Sequence, residues 1–176
     1  MNAWRRRCAI FFMLLLGLQA AYADIGFRKW EEDPDAPKWQ EDETTLPEFP
    51  KEGDLLEFFV SAVTPNRFFV DAKSIRVGAD GVVRFALVVK TAGGATNVSF
   101  EGIRCGAMEY RLYATGRADG TWAKARASEW KPIENKPINR HHAALSRDYF
   151  CPSMAPIGNP EEGRDALKRG KHPDAK

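Results

Sequence analysis

The chain has 176 residues, 44% of them apolar, with 26 Lys and Arg against 24 Asp and Glu. That is the material of one domain with enough apolar residue for a core, and a mean hydropathy of -0.43 excludes a protein of several membrane spans. A net charge of +2 excludes a dedicated nucleic-acid binder, so no nucleic acid is expected as partner.

Residues 1–23 open with Arg5, Arg6 and Arg7, continue through an apolar stretch at 8–18 and end in Ala21-Tyr22-Ala23. This is the pattern of a secretory signal peptide with cleavage expected after Ala23. The apolar stretch is far shorter than the roughly 20 residues that span a bilayer, so no stable membrane insertion is expected after cleavage. Residues 24–176 then carry 23 basic and 24 acidic residues, a net charge of -1, and are expected in the periplasm or outside the cell. Two cysteines remain, Cys105 and Cys151, and an exported chain with an even, minimal count is expected to pair them. Closing a loop of this length stabilises a fold by about 4 kcal/mol in the chain-entropy model. The alternative, two thiols held for redox chemistry, has little support without a Cys-x-x-Cys spacing.

Residues 24–54 hold 11 acids, four bases and four prolines, with Trp30 and Trp39 in otherwise polar sequence. An acidic, disordered arm is expected over 24–53, ahead of a β-rich domain at 54–152. Residues 55–63 read as a strand broken by Thr64-Pro65-Asn66, with short strands at 67–71 and 74–77. The Asp80-Gly81 pair suits a tight hairpin turn. Over 82–91, Val83, Phe85, Leu87 and Val89 fall on one face and Arg84 and Lys90 on the other, the period of a strand whose polar side meets water. After Gly93-Gly94 comes a strand at 96–102, then one that sets Met108, Tyr110 and Leu112 against Glu109, Arg111 and Tyr113. Asp119-Gly120 marks another hairpin, with 121–127 pairing back. Residues 131–139 read as irregular and 140–150 as a short helix stopped by Cys151-Pro152. A Cys105–Cys151 bridge would tie that helix over the sheet as a lid. Residues 153–176 read as a charged, nearly core-free tail, partly helical or disordered. The expected fold is mainly β (α+β): an antiparallel meander of six or seven strands with one or two C-terminal helices. Sandwich, open sheet and small barrel all remain compatible with this pattern.

Glu101-Gly102-Ile103-Arg104-Cys105, Glu109-Tyr110, Asp119-Gly120-Thr121-Trp122, Trp130-Lys131-Pro132-Ile133 and Asp148-Tyr149-Phe150-Cys151-Pro152 together resemble the cryptic neisserial protein-like (CNP1-like) family of exported proteobacterial proteins. The resemblance covers roughly residues 54–152 and leaves the arm and tail outside. It implies a bacterial envelope location and a shared domain, and it transfers no catalytic residues. Both cysteines lie inside the matching segments, which reinforces the expected bridge.

His141 and His142 are adjacent, so their side chains are expected to diverge by about 100° on a helix rather than share a metal, and they read as a solvated pair. No nucleophile elbow, P-loop or dinucleotide fingerprint occurs, so no cofactor and no catalytic residue are assigned. Asp71, Glu101, Glu109 and Asp148 could supply paired carboxylates if the fold brought them together. The expected binding surface is the polar face carrying Arg104, Arg111 and Tyr113, with Trp122 or Trp130 beside it if the hairpins pair as proposed, because interfaces favour arginine and aromatic residues. Net charge is -7 over 24–54, +1 over 55–102 and +5 over 103–176. The acidic arm, anchored by Trp30 or Trp39, is therefore expected to lie across the basic half and shield or compete for that face. The resulting expectation is a monomeric, non-catalytic envelope protein that recognises another envelope protein or an anionic ligand. A small hydrolase using carboxylates and a purely structural envelope component are the alternatives.

Overall fold

Three long strands form the middle of the sheet: β4 (Val82–Lys90), β5 (Thr96–Arg104) and β6 (Glu109–Gly116). The computed structural model describes residues 38–176, and the expected signal peptide and Trp30 lie outside the described residues. All pairings are antiparallel, and β1 (Leu55–Phe58), β2 (Arg67–Asp71) and β7 (Trp122–Lys124) complete the order β1-β2-β4-β5-β6-β7. The long outer strands are each edged by two short ones. β2 pairs with β4 at Leu87 to Lys90 while β3 (Arg76–Val77) pairs with it at Val83 and Arg84. β6 likewise holds β7 along its second half and β8 (Lys131–Pro132) at Glu109 and Tyr110. The sheet is open, with β1 at one end and β7 at the other. It has eight strands rather than six or seven, because β8 comes from a segment that reads as irregular.

The turn signals act where the sequence places them. Gly81 and Gly120 adopt φ of 77° and 79°, the left-handed conformation an Asp-Gly hairpin turn requires. The expected strand at 55–63 stops at Phe58, because the Phe59 amide donates to the Tyr149 hydroxyl at 3.1 Å instead of to a strand. The chain then leaves the sheet in a loop that exposes Val63.

One face of the sheet carries the apolar core. Val83, Phe85 and Leu87 from β4 and Ile103 from β5 meet Leu145, Tyr149 and Phe150 from the first helix, α1. That helix runs from Arg140 to Ala144 and continues as a π-helical segment, Leu145–Phe150. The Cys105–Cys151 disulfide joins its end to the end of β5, with Cα atoms 5.4 Å apart. A second helix, α2 (Pro160–Arg169), is capped at both ends. The Asn159 side chain accepts from the Glu162 amide, Pro160 fills the first helical position and Gly170 ends the helix with φ of 82°. The segment expected to be a nearly core-free tail therefore docks on the core. Its buried stripe is only Gly163, Ala166 and Leu167, and a Cβ at Gly163 would come within 2.7 Å of Ile157. The three recur at the spacing of a helix face, but only Leu167 is a large apolar residue, so the segment is poor in core by composition while its small residues allow close approach.

The alternation in β4 holds, but its polar face does not meet water. Arg84 is 5% exposed, because residues 39–49 run back across that side of the sheet without regular secondary structure. The Trp39 indole donates to the Asp80 carbonyl at 2.8 Å, Asp42 and Asp80 exchange amide-to-carboxylate bonds at 2.9 and 3.2 Å, and the Trp122 indole donates to the Pro47 carbonyl at 2.9 Å. Phe49 packs against Trp122 with ring centres 5.1 Å apart. The sheet thus lies between two helices on one side and a polar strap on the other.

Candidate functional site

Under the strap, β6 supplies Arg111 and Tyr113 on the same side of the sheet. They are two residues apart on the strand and so share a face, and a bulge follows at Tyr113, where Glu101 pairs with Leu112 but Phe100 with Ala114. Gly102 makes room for Tyr113, since a Cβ there would lie 2.7 Å from the Tyr113 hydroxyl. Trp130 enters from the segment just before β8.

These three side chains converge on one carboxylate, that of Glu41 in the strap. Arg111 Nη1 pairs with Glu41 Oε2, Trp130 Nε1 donates to the same oxygen at 3.1 Å, and the Tyr113 hydroxyl donates to Oε1 at 2.5 Å. Arg84 Nη2 approaches Oε1 at 3.5 Å. Arg111 is itself held by Ser128 Oγ, which accepts from its Nε at 3.1 Å. Burial, with the Glu41 carboxylate beside it, pushes the Tyr113 hydroxyl well above its ordinary value. The phenol therefore remains a donor at any physiological pH.

Arg84 and Asp80 form the floor next to this cradle. Arg84 Nη2 pairs with Asp80 Oδ2 at 2.6 Å, and its Nε donates to Thr44 of the strap at 2.9 Å. Burial works against both charges. The contact between them, joined on Asp80 by the amides of Asp42 and Val82, overrides it and holds the arginine above and the aspartate below its ordinary value.

Arg104 lies beside the cradle rather than in it. It pairs with Glu109, and its guanidinium sits 4.2 Å from the ring centre of Trp39 and 5.5 Å from that of Trp130. Its Nε is buried without a partner. A cleft of about 590 Å³ opens next to it, lined by Trp39, Ala107, Met154 and Pro156 among others.

Of the surface expected from the sequence, Arg111, Tyr113 and Trp130 meet at one point and Arg104 borders it. Trp122 does not join them, since it seats Pro47 and Phe49 at the far end of the strap. Glu41, Arg84 and Asp80 were not singled out. The charge imbalance between the arm and the second half points to the strap as a whole, but nothing local marks Glu41 among its acidic neighbours.

The opposite side of the sheet holds a second polar cluster. Glu101 pairs with Phe85 and so faces the helix layer, where it is 6% exposed and His142 is 4% exposed. His142 Nε2 lies 2.7 Å from Glu101 Oε2, and Ser99 Oγ donates to Glu101 Oε1 at 2.6 Å. Burial alone would raise the Glu101 carboxyl, but the histidines and Ser99 outweigh it and hold it below its ordinary value. Burial, aided by the neighbouring His142, pushes His141 down to about 4. The expected solvated, divergent histidine pair is thus corrected. The rings lie 4.0 Å apart, His142 stacked on Tyr110 and His141 on Phe68, because the first turn of α1 is pressed onto the sheet and both rings follow the aromatic residues below.

The four candidate carboxylates do not assemble. Asp71 accepts from the Lys73 amide, Glu101 meets His142, Glu109 pairs with Arg104 and Asp148 with Arg147.

No curated protein and no solved structure matches the chain. A family model matches residues 34–168, a span that takes in the strap and most of α2 as well as the sheet, beyond the 54–152 suggested by the sequence motifs. The chain belongs to the CNP1-like family.

Proposed function

We propose that this domain is a non-catalytic binding module of the bacterial envelope, which recognises an anionic group of another envelope protein or ligand at the Arg111–Tyr113–Trp130 cradle. One observation supports it: a single carboxylate, Glu41, is received there by a guanidinium, a phenol and an indole. Charge-assisted bonds to a carboxylate are the strong ones, and the arginine, tyrosine and tryptophan that make them are residues interfaces favour. In the free chain the strap fills the cradle with its own acid, so an incoming anion competes with Glu41. Arg104 and its cleft lie where the remainder of such a partner would rest. Export follows from the signal pattern of residues 1–23. The hydrolase alternative has less support, since among the described residues its candidate acids each engage a different partner.

Native mass spectrometry of the protein isolated gently from the periplasm tests this reading. An added mass on the wild type that grows with Glu41→Ala and disappears with Arg111→Glu is the expected result. Identical spectra for the three chains contradict it.

A further inference from the structure

The helix-covered side of the sheet carries a separate site. We infer that Glu101, His141 and His142 bind a divalent cation of the zinc type. One ligating atom from each lies within 4.8 Å of the other two, and two imidazoles with one carboxylate are a donor set that suits zinc and other borderline cations. A tetrahedral centre places its ligating atoms about 3.4 Å apart, given bonds of about 2.0–2.2 Å, so an ion would part the Glu101–His142 contact, now 2.7 Å, and draw His141 inward. His141, the half-buried member, is the one placed to make that inward movement and to give an ion a path from solvent. Both cysteines of this region are in the disulfide, so no thiolate competes to make the site soft.

The surroundings resemble a supported ligand shell. The Ser99 hydroxyl orients the carboxylate, and Tyr110 and Phe68 clamp the two rings from their outer faces. The second observation is a comparison within the chain. His172 also pairs with a glutamate, Glu162, at 2.7 Å, and its Nδ1 accepts from the Asp174 amide at 3.1 Å. That imidazole is complete. His142, equally buried, has no partner at Nδ1, so only Glu101 fixes its tautomer and no second bond opposes its surrender to a cation.

The test is calorimetric titration of zinc chloride into the untagged full chain, stripped with a chelator and kept free of reductant. One zinc per chain is expected, with affinity reduced at least about ten-fold in His141→Ala and in Glu101→Gln and unchanged in His172→Ala. His141 is the least buried of the three, so His141→Ala retains the fold and near-ultraviolet circular dichroism verifies it. No zinc uptake, or uptake undiminished in His141→Ala, or a loss that is equal in His172→Ala, overturns the inference. None of these results depends on the cradle of the opposite face.

Discussion

The two sides of the sheet are covered by different physics. On the helix side, Phe85, Ile103, Tyr149 and Phe150 are fully enclosed, and a disulfide ties the cover to β5. On the strap side, the cover is an extended segment held by indole and carboxylate bonds around Arg84, Arg111 and Tyr113. Apolar burial is non-directional and adds over area, so that cover is permanent. A cover held by charge is replaceable by any partner that presents the same charge, and it weakens with salt. The difference separates a layer that makes the fold from a layer that the proposed partner would displace.

Opening the disulfide breaks the permanent side most strongly. Replacing Cys105 and Cys151 by Ser is expected to cost about 4 kcal/mol in urea denaturation, while an unchanged midpoint would show that α1 holds the core unaided. Next, Leu167→Ala removes the main apolar contact of α2 and is expected to cost roughly 3 kcal/mol in the same measurement. A tail that frayed in solution would cost close to nothing. On the exchangeable side, Glu41→Gln is expected to lower stability by only about 1 kcal/mol, because its bonds are partly screened. It should still shift the emission of Trp39 and Trp130, and equal spectra would remove Glu41 from the cradle. Acid sharpens the contrast further. The Asp80 carboxyl is held below its ordinary value, so its contribution is complete above the unfolded value of about 3.9 and is lost as pH falls through the lower folded value. Resistance of the strap to protease should therefore fall below about pH 4 while the helix side persists, and simultaneous loss of both would mean that the two covers are one cooperative unit. The smallest effect is expected for the exposed Glu57–Arg67 pair, where Glu57→Gln should change stability by less than about 0.5 kcal/mol.

Much of the first cover was legible in the sequence. The alternation of Val83, Phe85 and Leu87, the Asp80-Gly81 and Asp119-Gly120 turns and the pairing of Cys105 with Cys151 are local or countable signals, and each acts as expected. The strap was legible only as a sum. Its charge opposes that of the second half, but Glu41 meets Arg111 across 70 residues, and no periodicity encodes such a pairing. Arg111 and Tyr113 were legible as one face by the period of two, but the bulge that follows Leu112 was not. The histidines misled for a related reason. An angular separation on an isolated helix says nothing of the aromatic surface onto which its first turn is pressed. A helix in the tail was within the expectation, but its docking was hidden by composition, since Leu167 is the one large apolar residue of the buried stripe Gly163, Ala166 and Leu167.

The most direct measurement is a double-mutant cycle on Glu41→Gln and Arg111→Gln, read by urea denaturation at low and high salt. If the strap is held over the cradle by this pair, the two substitutions couple by about 1 kcal/mol at low salt, and the coupling shrinks as salt rises. Strict additivity at both salt concentrations would contradict it, leaving the strap a neighbour of the face rather than its occupant.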